Sequence, residues 1–270
     1  MDPERPVLVI AVAGVDQSGG AGLVRDVLTG AALGAGVACV GTAWTEQEAS
    51  SDGVGIIGST GVLSVEPRAP AQLGAALRRA LARHPNAAVK IGMVPDAAAA
   101  AAIVGALDAA GFAGPLVVDP VLTASAGGAL WSGSLDGLWP LLRRATLVTP
   151  NAGETARLSG KPVAAPADAE AAGRALLARG IVAVLIKGGH LGETRDTVTD
   201  RLVDESGVRK FTRLRVPGPS PRGTGCALST AIAAALAGGA TLPAAVDRAG
   251  RWLAGRIAAG VVVGGQRFLP

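Results

Sequence analysis

The stretch Gly223-Thr224-Gly225-Cys226 leads directly into an apolar, alanine-rich segment at 227–236. A glycine turn that opens a helix gathers unpaired backbone N–H groups at the positive end of the helix dipole, and this arrangement binds anions, phosphate above all. The side chain of Cys226 would then lie beside the anion. A tight turn followed by a buried cysteine gives the same pattern, so the remaining segments have to decide between a site and a simple helix start.

Composition narrows the class of protein. The chain has 270 residues, of which 49% are hydrophobic and 17% charged, which fits one sizeable α/β domain or two small ones. Because no Ser/Pro-rich linker, low-complexity tail or clear repeat interrupts the chain, we predict a single domain over residues 1–270. The net charge of +4 comes from scattered arginines without a dense basic run, and only 3% of residues are aromatic. These values argue against a nucleic-acid partner and indicate mild attraction for phosphorylated small molecules.

Cysteine and histidine usage argues against disulfide and zinc chemistry. Cys39 and Cys226 are the two cysteines, and His84 and His190 are the two histidines. None of the four lies in a spacing typical of a zinc site.

The chain carries no predicted targeting or membrane segment. Residues 1–6 contain acidic residues and prolines, unlike a signal peptide. The uncharged stretch 229–246 is broken by Gly238-Gly239 and Pro243. We therefore expect a soluble, cytoplasmic protein with no membrane partner.

Short apolar runs alternate with alanine-rich helical stretches. Strands are predicted at Val7–Ala13, Val37–Ala43, Ala88–Ile91, Leu116–Asp119, Thr146–Thr149 and Val182–Lys187. Helices are predicted at Ala21–Leu33, Ala71–Arg83, Asp96–Ala110, Leu135–Leu142 and Ala167–Arg179. This alternation predicts an α/β fold of three layers, with a mostly parallel central sheet and helices on both faces.

After Lys187 the pattern changes. Two strand-like runs, Thr197–Val203 and Val208–Val216, flank a turn and predict an antiparallel hairpin at the sheet edge. Two helices, Gly225–Ala237 and Leu242–Ala259, follow the hairpin.

Polar residues and glycines follow four of the predicted strands. They are Gly14–Gly22, Asp119-Pro120, Thr149-Pro150-Asn151 and Lys187–His190. Ligands of open α/β sheets bind at the carboxyl ends of the strands. Any one of these segments is equally compatible with a turn, but their joint occurrence predicts a site.

Individual residues at these strand ends each allow two interpretations. Asn151 and Glu154 have the spacing of a capping box, while a carboxylate at this place also suits Mg²⁺. Lys187 can reach phosphate oxygens or only extend to solvent. Asp26 can hydrogen-bond a ligand or serve the helix that carries it.

From about Val9 to Ile257, the chain resembles the hydroxymethylpyrimidine/phosphomethylpyrimidine kinases of the ribokinase-like superfamily. The resemblance is carried by segments whose order and spacing are jointly specific: Ala13–Gly22, Lys90-Ile91-Gly92-Met93, Asp119-Pro120-Val121-Leu122, Val148–Asn151 with Glu154, Lys187–His190 and Gly223–Cys226. It implies a ribokinase-like fold, a homodimer, and a thiamine-pathway kinase that uses ATP and Mg²⁺.

The resemblance also implies where the pyrimidine binds. The ring would lie between Gly14, Met93 and Val121. Gln47 matches the substrate-binding glutamine of the family, and Asp26 matches its pocket aspartate.

Roles at the transfer site follow in the same way. Glu154 would order Mg²⁺, Cys226 would be the base for the substrate hydroxyl, and the Gly223–Cys226 turn, including Thr224 and Gly225, would be the anion hole. The nucleotide would contact Asp119, Asn151, Lys187 and Thr224. Because helix N-termini lower thiol pKa values, we expect Cys226 to be partly ionised at neutral pH.

Several positions depart from the usual family pattern, among them Gln17, Ser125-Ala126, Arg222 and Ala227. Ser125-Ala126 offers fewer donors to a substrate phosphate than the usual residues, which predicts weaker phosphorylation of the pyrimidine monophosphate. Arg222 is a candidate bidentate phosphate ligand that would compensate. Two alternatives stay open: a pyridoxal/pyridoxine kinase of the same superfamily, and a non-catalytic relative that binds a pyrimidine.

Overall fold

A mostly parallel sheet forms the centre of the molecule. The computed structural model describes residues 7–49, 59–124, 128–189, 191, 195–263 and 266–270. Within these residues one sheet is built from β1 (Leu8–Asp16), β2 (Gly36–Ala49), β3 (Ser59–Pro67), β4 (Ala88–Ile91), β5 (Leu116–Val118), β6 (Leu147–Val148), β7 (Val184–Ile186), β8 (Thr197–Asp204) and β9 (Gly207–Leu214). The strand order is β3-β2-β1-β4-β5-β6-β7-β8-β9.

Helices cover both faces of the sheet. They are α1 (Gly22–Ala32), α2 (Pro70–Arg83), α3 (Ala97–Ala109), α4 (Trp139–Arg144), α5 (Ala152–Ser159), α6 (Pro166–Ala178), α7 (Thr224–Ala237) and α8 (Leu242–Ala258). Within the part of the chain that the structure describes, none of these helices combines the length and hydrophobicity of a membrane span.

Alternate residues of β1 face the two helical layers, as the pleat of a strand requires. Ile10 and Val12 belong to the core cluster under α2 to α6, whereas Val9 belongs to the cluster under α7 and α8. All three side chains are fully buried. The three-layer arrangement predicted from the sequence is confirmed.

The parallel and antiparallel parts lie where the sequence predicts them. Strands β2, β1, β4, β5, β6 and β7 pair in parallel, and β8 and β9 form the antiparallel edge hairpin. Strand β4 has the predicted bounds.

Three features differ from the predictions. Strand β2 continues past Ala43, because its second half pairs with β3, an antiparallel edge strand that was not predicted. A short hairpin of β10 (Val261–Val263) and β11 (Gln266–Phe268) was also missed. The single helix predicted at Leu135–Leu142 is a 3₁₀ turn at Leu135–Leu138 followed by α4.

The order of the parallel strands reverses at β1, which lies between β2 and β4. Such a reversal opens a crevice at the carboxyl ends of the strands. The end of β1 with Gly14 and the residues after β4, including Met93, lie at this crevice.

A buried ion pair holds three elements together near the crevice. The Lys90 Nζ of β4 lies 2.8 Å from both carboxylate oxygens of Asp26 in α1, and Thr230 of α7 donates a hydrogen bond of 2.8 Å to the same carboxylate. Neither charged side chain has any exposed surface. Burial alone would lower the pKa of Lys90, but the Asp26 carboxylate raises that pKa above its ordinary value, so the lysine is a cation.

Glycines at the two ends of α1 give a matched test of backbone packing. Gly22 and Gly34 both have positive φ, +58° and +69°. A Cβ on Gly22 would lie 2.3 Å from the Gly14 carbonyl oxygen, whereas one on Gly34 meets no atom of the described residues within 4 Å. We expect Gly34→Ala to lower the free energy of unfolding by about 1–2 kcal/mol, from left-handed strain alone. Gly22→Ala should lower it by clearly more.

Urea unfolding of both variants measures the difference. Equal losses of stability in the two variants would show that α1 does not pack against the β1 backbone as described.

Candidate active site

A cavity of about 420 Å³ opens at the carboxyl ends of the parallel strands. Predicted site residues from four separate segments meet there. Those that line it are Asp119, Val121, Asn151, Glu154, Lys187, Gly223, Thr224, Gly225 and Cys226.

The turn before α7 presents its backbone to the cavity. Gly223 is the N-cap of α7 and has a φ of +74°. The Ala227 N–H donates to the Gly223 carbonyl at 2.9 Å, which begins the hydrogen bonding of the helix. The N–H groups of the first helical residues have no partner within the helix. A Cβ on Gly223 would lie 2.2 Å from the Gly20 carbonyl oxygen, so the turn and the loop after β1 pack backbone to backbone.

An ammonium group lies between two carboxylates on the opposite wall. The Lys187 Nζ is 2.8 Å from Asp119 Oδ1 and 3.9 Å from Glu154 Oε2. Thr149 donates a 3.2 Å hydrogen bond to the same Asp119 oxygen. Burial acts to lower the pKa of Lys187, but the charges of Asp119 and Glu154 outweigh it and raise that pKa to about 12. Lys187 is therefore a fixed cation at neutral pH.

Gly225 brings the turn and this cluster together. A Cβ on Gly225 would lie 3.2 Å from Lys187 Nζ and 3.3 Å from Asp119 Oδ2. Glycine leaves this space open, so a small anion can contact the backbone N–H groups and the ammonium at once.

The capping interpretation of Asn151 and Glu154 is confirmed. The Asn151 side chain accepts from the Glu154 N–H at 2.9 Å, and Glu154 Oε2 accepts from the Asn151 N–H at 2.7 Å. Burial raises the pKa of Glu154 in spite of the attraction of Lys187. Glu154 thus both caps α5 and faces the cavity.

The donor set fits Mg²⁺ held in part by a ligand. Among the described residues no group of three or more His, Cys, Asp or Glu side chains could hold a metal ion by itself. Asp119 and Glu154 nevertheless place two carboxylates around one ammonium. Magnesium in proteins typically takes one or two carboxylates and completes its shell with water and phosphate oxygens.

The expected lowering of the Cys226 pKa is wrong. The residue is half-buried, and burial of its thiol raises the pKa. Lys90 and the Gly22 N–H act to lower this pKa, but the Asp26 and Asp119 carboxylates act to raise it. The thiol of the free protein is therefore protonated at neutral pH.

Gly14, Met93 and Val121 come together at the β1–β4 crevice. A Cβ on Gly14 would lie 3.1 Å from Met93 Sδ, so the thioether lies flat against the backbone of β1. The Thr42 hydroxyl donates to the Met93 carbonyl at 2.8 Å and fixes that backbone. Val121 packs against the small apolar cluster of Ala43, Met93 and Leu130.

Of the residues predicted for the substrate pocket, Val121 lines the cavity, whereas Gly14, Met93 and Asp26 are not among its lining residues. Asp26 has no exposed surface, and its carboxylate bonds Lys90 and Thr230 rather than lining the cavity. Gln47 lies in β2, and its side chain is outside the described residues, as are Ser125-Ala126.

Sequence reasoning missed the contribution of the edge hairpin. Asp200 of β8 accepts a 2.8 Å hydrogen bond from the Gly188 N–H and pairs with Arg213 of β9. Arg215 donates a hydrogen bond of 3.1 Å to the Gly189 carbonyl. These side chains fix the glycine loop that follows Lys187. The alternation of the hairpin predicts the strands, but only their register shows which charged residues turn towards the loop.

The cavity also has an apolar part, which we call the apolar slot. It is lined by Val198, Val216, Leu228, Leu253, Ala254 and Ile257. Its hydrophobicity suits an aromatic group.

The protonation state of Cys226 is testable in a Cys39→Ser background, in which Cys226 is the sole remaining thiol. A raised pKa means that the reactive thiolate appears only at a pH above the ordinary thiol value of about 8.5. We therefore expect the iodoacetamide alkylation rate of Cys226, followed by mass spectrometry, to reach its midpoint above that value. A midpoint near pH 7 would contradict the burial argument.

Comparison with known proteins agrees with the fold and identifies the family. The profile of the phosphomethylpyrimidine kinase family matches residues 16–269. A hydroxymethylpyrimidine/phosphomethylpyrimidine kinase of Streptomyces coelicolor is 37% identical over 265 residues, which are 97% of this chain and 93% of that protein.

Solved structures agree. A phosphomethylpyrimidine kinase from Clostridium difficile is similar with a TM-score of 0.75 and 29% identity, covering 92% of this chain and 97% of its own. The pyridoxal kinase of Staphylococcus aureus, solved with AMP-PCP and pyridoxal, gives a TM-score of 0.83 and 26% identity, covering 97% of this chain and 91% of its own. With the family profile matching nearly the whole chain, this protein is a kinase that belongs to the phosphomethylpyrimidine kinase family.

Proposed function

We propose that this kinase transfers the γ-phosphoryl group of ATP to the hydroxymethyl group of 4-amino-5-hydroxymethyl-2-methylpyrimidine, in thiamine biosynthesis or salvage. The observation that carries the proposal is the meeting of the Gly223–Cys226 turn and Lys187 in one cavity. The Gly14–Met93 contact lies at the neighbouring crevice, where the family resemblance places the pyrimidine ring.

We expect ATP to bind in the cavity in one orientation. The apolar slot beside α8 accepts the base, and the triphosphate then points to the anion turn and Lys187. Asn151 and Thr224 lie along this path. Backbone N–H groups and a fixed ammonium stabilise the charge that develops on the transferred phosphoryl group.

Magnesium would complete the balance of charge at the phosphate end of the cavity. We assign Glu154 and Asp119 as the carboxylates that would hold it, because both face Lys187 at the phosphate end of the cavity. When bound, the ion would neutralise charge on the phosphate oxygens. The chain itself contributes the rigid frame, since Glu154 is fixed by the α5 capping box.

The substrate hydroxyl has to lose a proton as it attacks. Cys226 begins α7 beside the turn and is the candidate acceptor. Because its pKa is raised, the thiolate is a minor species in the free protein. Positioning and the N–H cradle therefore supply most of the acceleration, as is general in phosphoryl transfer.

A coupled ADP-release assay tests the substrate. We expect ADP release to depend on hydroxymethylpyrimidine and to stop when EDTA removes Mg²⁺. Pyridoxal and pyridoxine serve as rival acceptors, and water serves as the blank. Turnover with pyridoxal alone would replace the proposed substrate, and ligand-stabilised melting without ADP release from any acceptor would favour a non-catalytic pyrimidine-binding protein.

The variant Cys226→Ala distinguishes a catalytic role of the Cys226 thiol from a packing role. The cradle is backbone and survives the change, so ATP affinity measured by calorimetry should stay nearly constant. Loss of a general base lowers kcat by roughly 10²-fold or more. We expect that loss together with a changed pH–rate profile. Wild-type kcat and profile in the variant would remove the thiol from the mechanism.

A further inference from the structure

Arg267 contacts a segment of the cavity wall from outside the cavity. Residues 218–221, which we call the wall segment, line the cavity just before the Gly223–Cys226 turn. The guanidinium of Arg267, in β11, donates a hydrogen bond of 2.6 Å to the carbonyl of Pro217, the residue before this segment. Arg267 is not itself among the residues that line the cavity. Its effect on a bound ligand therefore has to pass through the wall segment.

The wall segment has few backbone donors with which to hold itself in place. Pro217, Pro219 and Pro221 carry no N–H group, so they cannot donate to a helix or to a neighbouring strand. Within the described part of the chain, the bond from Arg267 is the hydrogen bond that the structure shows for residues 217–221. Loss of this bond would therefore leave the wall segment without a fixed point.

Gly218 permits the close approach of the guanidinium. Its φ is +97°, in the region that favours glycine. A Cβ at this position would lie 2.8 Å from one Nη atom of Arg267 and 3.5 Å from its Cζ. The guanidinium thus lies against the backbone of the wall segment, and a side chain at position 218 would displace it.

The residues that follow Arg267 are anchored to three other parts of the fold. The Leu269 side chain is 6% exposed and belongs to the core cluster under α7 and α8. Arg25 of α1 donates a hydrogen bond of 3.3 Å to the Leu269 carbonyl, and Arg256 of α8 donates one of 2.6 Å to the main-chain oxygen of Pro270. Arg267 therefore links the wall segment to a firmly held part of the chain.

We propose that Arg267 is a positioning residue for the nucleotide, which holds the wall segment in place and thereby sets the affinity for ATP. The wall segment lies between Val216 of the apolar slot and the Gly223 turn, the places proposed for the base and the phosphates. The apparent affinity falls in proportion to the fraction of molecules whose binding surface is in place. This inference rests on the proposed function, because it requires that ATP bind in this cavity.

The experiment compares wild type, Arg267→Gln, Arg267→Lys and the matched control Arg256→Gln. The control also removes an arginine that donates a 2.6 Å hydrogen bond to a main-chain oxygen, but that bond ends at Pro270 rather than beside the cavity wall. Calorimetry without acceptor gives the Kd of Mg·ATP, and the coupled assay gives kcat and the KM of each substrate. Hydrogen exchange follows the Gly218 and Ser220 amides, and thermal melting checks that each variant folds.

We expect Arg267→Gln to raise the Kd and KM for ATP roughly 5- to 30-fold, because part of the loss of one hydrogen bond is transmitted to the ligand. The KM for the pyrimidine should change by less than about threefold, and the Gly218 and Ser220 amides should exchange faster. Arg267→Lys keeps the charge and a donor, so its Kd should lie between those of wild type and Arg267→Gln. Arg256→Gln should keep the wild-type affinity for ATP.

Wild-type affinity for ATP in a folded Arg267→Gln variant would overturn the inference. An equal loss of affinity in Arg256→Gln would overturn it as well, since the effect would then be one of general stability. Should Arg267→Gln fail to fold, Gly218→Ala displaces the same guanidinium, and wild-type affinity in that variant would also refute the role of Arg267.

The outcome also separates this inference from the proposed function. A wild-type protein that binds ATP but releases no ADP with hydroxymethylpyrimidine would refute the proposed acceptor, and the calorimetric comparison of the variants would still decide the role of Arg267. A wild-type protein that does not bind ATP would overturn both.

Discussion

The buried ion pair between Lys90 and Asp26 is the constraint on which the site depends. Two charges without exposed surface are costly to bury unless they are paired and hydrogen-bonded, and here Thr230 completes the set. The pair therefore fixes α1, β4 and α7 in one arrangement. Asp26 lies one helical turn after Gly22, and Thr230 lies one turn after Cys226. Because the second turns of both helices are held, their N-termini are held as well. The N-terminus of α7 carries the anion turn, and the N-terminus of α1 follows the loop after β1.

Close approach between backbone segments is the second constraint on the site. Gly223 touches the Gly20 carbonyl, Gly22 touches the Gly14 carbonyl, and Gly225 leaves room for Lys187. The N–H groups of α7 can therefore face the same volume as the carboxylates at the ends of β5 and β6. Charge on the opposite wall is partly balanced, since Asp119 and Glu154 share the single ammonium of Lys187.

Local patterns were sufficient for much of the fold and part of the site. Strand β4 was predicted with its bounds because all its residues are buried and helices flank it. The residues predicted to bind the nucleotide line one cavity with the Gly223–Cys226 turn, because strand ends meet at one edge of a parallel sheet. Strand β3 was missed because its pairing with β2 is non-local. The pairing of Asp200 with Arg213 needs the register of β8 and β9, which sequence alternation leaves open.

The burial of Asp26 and the raised pKa of Cys226 have one physical origin. The family resemblance implies a ligand beside Asp26, and a sequence rule lowers the pKa of Cys226 through the helix dipole; both treat the residue as accessible to solvent. In the structure burial dominates: Asp26 is closed off by Lys90 and Thr230, and desolvation raises the thiol pKa. Asp26 thus belongs to the layer that supports the site, whereas Cys226 lines the cavity as a neutral thiol among backbone N–H groups and fixed cations.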